Sequence, residues 1–217
     1  DTINVKGYES ITDEKVLDKW IKILSEQSVI AVDTETSSLN SLEADLVGIS
    51  FSYAPNKACY IPLAHKNIKG LKKELVLKKI KPILEDPSIK KVGQNIKFDF
   101  LILSQNNIEI NPIEDTMLIS YTLDAGTNRH NLDTLSEIHL NHKTISYKEL
   151  VGTGKNKLNF SDIALDKATE YAAEDADVTL RLYKYLIARL NEEKLNKIYE
   201  DFEKPMVKLL SKLEFNG

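Results

Sequence analysis

Residues 28–36 read SVIAVDTET, a short apolar run rich in β-branched side chains that closes on acidic residues. Val, Ile and Thr suit the pleated backbone, so this run is expected to form a buried strand, which places a sheet at the centre of the fold. Side chains two apart on a strand share a face, and this sets Asp33 beside Glu35. Two carboxylates so placed repel each other. One of them tends to stay protonated unless a cation lies between them. A polar strand end facing water would leave the same letters, so the pair alone decides nothing.

On the N-terminal side, the polar opening DTINVKGYES leads into a helical pattern over residues 12–27, with Val16, Leu17, Trp20, Ile21 and Leu24 on one face. On the other side, LVGISFSY and ACYIPL read as two further strands joined by a turn at Pro55-Asn56, spacing that favours an antiparallel meander. Helical periodicity covers residues 71–84 and stops at Pro87. KKVGQ reads as a short strand entering a helix from Asn95 to about Gln105. From Asp115 onward the chain reads helical, through DTMLISYTL, LDTLSEIHL and SYKEL, then a long stretch from about 166 to 190 and a last helix from Glu192 to about Leu213. The expectation is an α/β fold: a mixed sheet flanked by helices, with a helix-rich C-terminal half. No internal repeat or low-complexity segment interrupts it.

Composition narrows the function. The 217 residues, 42% of them hydrophobic, suffice for one well-buried core. No apolar run approaches the ~20 residues needed to span a bilayer, so no membrane is expected. The single cysteine, Cys59, cannot form an internal disulfide and reads as a small buried residue, which removes any cysteine-based zinc site. A net charge of −4 disfavours an extended surface for duplex DNA, because phosphate neutralisation dominates that affinity. A short single-stranded end held by few contacts and by metal ions stays compatible.

Two more acidic elements join the strand pair. In GQNIKFD (93–99), Asn95 and Asp99 are four apart at a helix start and share a face. A helix cap and a solvated acid would account for them equally. In EYAAEDADVTL (170–180), Tyr171 and Asp175 share a helical face, about 40° from alignment at 100° per residue, while Asp177 points almost the other way. Glu170, Glu174, Asp175 and Asp177 crowd this turn, which needs some offset of charge. Together the three elements offer hard oxygen donors and a phenol, a set that suits Mg²⁺ or Mn²⁺ over zinc. The chemistry needing such a set is phosphodiester hydrolysis by two divalent ions about 3.5–4 Å apart, one activating water and the other stabilising the departing 3′ oxygen. His65, His130, His139 and His142 form no nucleophilic arrangement and read as structural or surface residues.

The motifs VDTET, GQNIKFD and YAAED resemble the three exonuclease motifs of the DEDDy superfamily, in the version found in the proofreading domain of bacterial family-A DNA polymerase I. The likeness continues through YIPLAH, KPILEDPSIKK, EDTMLISYTLD and HKTISYKELVGTGKN, covering the chain from about Lys15 onward. The resemblance implies a ribonuclease H-like mixed five-stranded sheet. It implies that Asp33, Glu35, Asp99 and Asp175 bind two divalent ions, Mg²⁺ or Mn²⁺, and that Tyr171 orients the attacking water. It also implies a substrate-side set: Leu39 wedging against the terminal base, Phe160 packing near the substrate, Gln94 and Asn95 beside the single strand, and Arg129 near the scissile region. The four acids and the tyrosine are intact here, and Phe98 keeps an aromatic ring where relatives often have Tyr.

The implied activity is 3′→5′ removal of nucleotides from a single-stranded or frayed DNA end, releasing nucleoside 5′-monophosphates. The implied setting is a bacterial, cytoplasmic, nucleoid-associated monomer whose residues 1–217 form the exonuclease domain. The last helix, about 196–217, carrying Phe202, Met206, Leu209, Leu210 and Leu213, would then lead toward a polymerase domain of the same native chain. An RNA-trimming exonuclease of the same superfamily and a catalytically silent scaffold for a polymerase are the competing readings. GTGKNK (152–157) lacks the spacing and preceding strand of a phosphate-cradling loop and reads instead as a mobile lysine-bearing loop near the strand path. Only three of the 29 Lys and Arg residues are Arg (129, 181 and 189), which predicts point-charge phosphate contacts and little base preference. Arg181 and Arg189 read as ion-paired surface residues.

Overall fold

In a computed structural model, the expected strand occupies Val29–Thr36 (β2) and lies inside a mixed sheet of order β1-β4-β3-β2-β5-β6. The structure describes residues 1–215. Asn216, Gly217 and the side chains at positions 202, 203, 208, 209, 211, 214 and 215 lie outside the described residues, and with them the predicted roles of Phe202 and Leu209. The meander is present: Leu46–Ala54 (β3) pairs antiparallel with both β2 and Lys57–Pro62 (β4). Lys90–Gly93 (β5) and Ile113–Asp115 (β6) extend the sheet in parallel on the other side of β2. Four of these are the strands expected from the sequence pattern, and β6 completes the five-stranded sheet that the resemblance implies. The sixth, Glu9–Ser10 (β1), pairs parallel with β4 at the opposite edge, inside the opening read as merely polar.

The helices are Glu14–Ser25 (α1), Lys73–Glu85 (α2), Ile96–Gln105 (α3), Thr116–Asp124 (α4), Leu132–Leu140 (α5), Tyr147–Val151 (α6) and Leu165–Glu192 (α7). The predicted last helix is not continuous. Lys194 takes φ 58, which breaks α7 from a segment of Asn196–Ile198 (α8), a π turn over Tyr199–Glu203 and Lys204–Phe215 (α9). Among the described residues, no helix is long and apolar enough to cross a membrane.

The strand alternation of β2 decides where its acids go. Ile30 and Val32 point into a core built with Leu17, Trp20 and Leu24 of α1 and Val76 and Ile80 of α2. Ala31 points to the opposite face and meets Ala176 and Leu180 of α7. Small residues recur there: Ala168 and Ala172 pack on Val47 and Tyr60, and Ala173 packs on Tyr8 and Ala58. This stripe lets the 28-residue α7 lie close across the sheet. Asp33 and Glu35 share the parity of Ala31 and therefore face α7.

Candidate active site

Asp33, Glu35 and Asp175 converge: each offers one carboxylate oxygen, and these oxygens lie within 4.8 Å of one another. The first two leave the end of β2, and Asp175 comes from α7. Glu35 stands opposite Gly48 of β3, where any side chain would strike the ring of Tyr60, since a Cβ there would sit 1.9 Å from its hydroxyl. Tyr60 is pinned under the site by a 2.6 Å hydrogen bond between its hydroxyl and His65 Nε2. Asp99, on the first turn of α3, is only 3% exposed. It stands outside the three-oxygen cluster and accepts from the Thr34 amide at 2.9 Å and from the Thr34 hydroxyl. Thr34, between the two strand acids, thus brings α3 to the same strand end.

The electrostatics follow from burial among like charges. Burial pushes Asp33 up to about 6, against the lowering effect of a hydrogen bond with Glu35 and the Thr34 backbone. Glu35 is held well above the ordinary carboxylate range, by burial first and then by Asp33 and Asp175. Asp99 and Asp175 are raised well above their ordinary range by burial and by Asp33, while the Tyr171 hydroxyl lowers Asp175 by hydrogen bonding. Among the described residues, no Lys or Arg side chain forms an ion pair with any of the four. A set of oxygen donors this close, with no internal cation, fits hard divalent ions such as Mg²⁺ or Mn²⁺.

Above the acids opens a cavity of about 680 Å³. Asp33, Glu35, Asp99 and Tyr171 reach it, as do Leu39, Gln94 and Asn95. Leu39 is 92% exposed on the rim. Its loop is fastened at two points: Asn159 Nδ2 donates to the Ser37 carbonyl at 2.9 Å, and Gln105 Nε2 donates to the Ser41 carbonyl at 2.7 Å. Gln94 is engaged by the protein itself, donating to the His130 carbonyl at 2.7 Å and accepting from the Thr116 hydroxyl. Asn95 occupies the N-cap position of α3 but makes no side-chain cap bond, and its side chain lines the cavity.

Two predicted substrate residues stand elsewhere. Phe160 is 1% exposed and packs behind Tyr171, ring centroids 5.9 Å apart, in a cluster with Tyr60 and His65. It supports Tyr171 and is not part of the cavity wall. Arg129 is exposed and also off the wall, in the loop whose next residue, His130, is tied to Gln94. The aromatic rings on the wall are those of Phe98, Tyr147 and Tyr171, with Tyr147 5.8 Å from Tyr171 and Lys157 Nζ 5.8 Å above the Tyr147 ring. Lys157 belongs to the loop read from GTGKNK, and it is the one cation among the described residues lining the cavity. Neither Tyr147 nor Asn159 was singled out from sequence. The signal lay in ISYKEL and KLNF, where an aromatic and an Asn follow strongly polar loops.

The other acids of the α7 cluster have separate partners. Glu170 pairs with Lys6 at 2.6 Å, Glu174 accepts from His142 at 3.0 Å, and Asp177 pairs with Arg181 at 2.8 Å. Arg189 pairs with Asp124, as an ion-paired arginine should, and Cys59 is fully buried.

Comparison with known proteins identifies the family and the fold. A family model described as 3′-5′ exonuclease matches residues 8–191. DNA polymerase I of Rhizobium leguminosarum is 42% identical over 231 residues, covering 97% of this chain and 23% of that protein. The chain therefore spans about a quarter of the length of the curated relatives it matches, 23% and 24% in two of them. Among solved structures, Brucella melitensis NrnC superposes with a TM-score of 0.71 at 22% identity, over 97% of this chain and 92% of that one. Escherichia coli RNase D, an exoribonuclease, superposes with a TM-score of 0.69 at 18% identity, over 95% and 50%. The ribonuclease H-like fold is thereby established.

Proposed function

We propose, from the premise that this chain belongs to the 3′-5′ exonuclease family, that it trims single-stranded or frayed DNA 3′ ends, one nucleoside 5′-monophosphate at a time. The observation that carries this reading is the convergence of Asp33, Glu35 and Asp175 beside a cavity that Asp33, Glu35 and Asp99 line, with no Lys or Arg among the described residues paired to these acids. Asp33, Glu35, Asp99 and Asp175 would hold two divalent ions, Mg²⁺ or Mn²⁺. Bound there, the ions supply a water of lowered pKa and neutralise charge on the phosphate.

The remaining work falls to the chain's own groups. Burial holds the Tyr171 hydroxyl far above its ordinary pKa, so it stays neutral and orients the attacking water by a hydrogen bond. Leu39, on its fastened rim, wedges against the terminal base. Tyr147 offers a flat ring for stacking, and Lys157 and Arg129 supply positive charge for the strand's phosphates, with Asn95 as a polar contact. A mispaired end enters more readily because its unpairing costs less. Proofreading follows if, as in the polymerase relatives, the segment from Asn196 onward leads to a polymerase domain of the same chain.

The fold likeness to RNase D keeps an RNA-trimming reading in play. The test compares 5′-labelled DNA and RNA single strands of matched sequence with Mg²⁺. Faster loss of DNA supports the proposal, faster loss of RNA favours RNA trimming, and no degradation of either means a silent scaffold.

A further inference from the structure

Helix α3 carries Asp99, yet its own start is poorly secured. Strand β5 ends at Gly93, where a Cβ would come within 2.8 Å of Ile96, so the chain doubles back tightly. Asn95 then takes φ 56 and ψ 54, a left-handed conformation that costs free energy for a residue with a Cβ. The first amides of a helix lack intrahelical acceptors, and Asn95 provides no cap. The acceptor comes from another strand. The Asn95 amide donates to Asp115 Oδ1 at 3.0 Å and the Ile96 amide donates to Oδ2 at 3.3 Å. The Met117 amide donates to Oδ1 at 2.9 Å, so one buried carboxylate fastens the starts of α3 and α4 together.

Asp115 is itself held from behind. Its amide donates to the Tyr199 hydroxyl at 3.1 Å, and that hydroxyl donates to Glu114 Oε2 at 2.6 Å. Lys204 Nζ donates to the other Glu114 oxygen at 3.0 Å. Tyr199 is fully buried, with Glu114 at 2% and Asp115 at 3% exposure. A continuous set of buried and partly buried hydrogen bonds thus runs from the C-terminal segment, through Asp115, to the turn at the start of the helix that carries Asp99.

We infer that Asp115 is a positioning residue for the carboxylate centre, and that Tyr199 locks it there; the inference rests on the metal-dependent reading above. Truncating Asp115 takes the acceptor from the Asn95, Ile96 and Met117 amides, of which Ile96 is buried, and removes the tie that holds the start of α3, and Asp99 with it, to β6. Outer groups that orient ligands typically change metal affinity by about 10- to 100-fold when removed.

The test titrates Mn²⁺ into the metal-free 217-residue chain and follows free Mn²⁺ by electron paramagnetic resonance, well below each variant's melting point. Asp115→Ala should weaken binding by about tenfold or more. Asp115→Asn keeps an oxygen at the doubly used Oδ1 position and should fall nearer wild type than Asp115→Ala does. Tyr199→Phe should weaken binding measurably, and it carries the test if Asp115→Ala does not fold. A lower melting point with unchanged Mn²⁺ affinity in Asp115→Ala, or in Tyr199→Phe, would overturn the inference. Wild-type protein that binds Mn²⁺ no better than Asp33→Ala would instead sink the metal reading itself, and this inference with it.

Discussion

Asp175 and Asp177 stand two residues apart on α7 and live in opposite worlds. Asp177 is fully buried and fully partnered: Tyr8 donates to it at 2.7 Å, the Asn56 amide at 3.1 Å and Arg181 Nε at 2.8 Å. It clamps the N-terminal segment and the β3–β4 turn onto the helix. Asp175 faces Asp33 and Glu35, with the Tyr171 hydroxyl beside it. A buried acid with cationic and amide donors stabilises a fold; a buried acid among acids is a cost until a cation arrives. Helical spacing separates the two faces, and partner identity shows what each face does.

The largest expected effect breaks the functional side of the comparison. Asp175→Ala or Asp33→Ala should lower metal-dependent cleavage by at least about a thousandfold, since several kcal/mol of charge stabilisation go with the ligand. Circular dichroism should show the fold intact. Next comes the structural side. Asp177→Ala strands Arg181 and Tyr8, at a cost of about 3 kcal/mol or more, and should lower the melting point by roughly 6–12 °C. Its activity per folded molecule should stay close to wild type, measured well below the transition. Tyr171→Phe removes orientation of the water and leaves the acids, so a loss of about 10- to 100-fold in kcat is expected, read from single-turnover rates. The smallest effect is the most diagnostic. Asp175→Asn removes one repelling charge and should raise the metal-free melting point by a few degrees, an effect of about 1 kcal/mol. Saturating Mn²⁺ should reverse the order, because binding stabilises the wild type by mass action.

Much of this was legible in the chain. The β-branched run around Ile30 and Val32 and its period-two alternation put Asp33 and Glu35 on one face, and the helical spacing in YAAEDAD separated Asp175 from Asp177. What escaped is short or long-range. The strands at Glu9–Ser10 and Ile113–Asp115 are two and three residues long, too few to show any period, and only neighbours make them strands. Phe160 carried the expected substrate role by resemblance, but the fold turns it behind Tyr171 and leaves Tyr147 on the wall. The break at Lys194 comes from one left-handed residue that no composition signal marks. Asp115 looked like the start of a helix; its role depends on Tyr199, 84 residues later.

The central claim is that the carboxylate cluster makes cleavage from the 3′ end depend on a divalent ion. The most direct test incubates 5′-labelled single-stranded DNA with wild type and Asp175→Ala, each with Mg²⁺ and with a chelator. The account predicts a ladder shortening from the 3′ end with release of nucleoside 5′-monophosphates, for wild type with Mg²⁺ alone. Cleavage by wild type in chelator, or equal cleavage by Asp175→Ala, would contradict it.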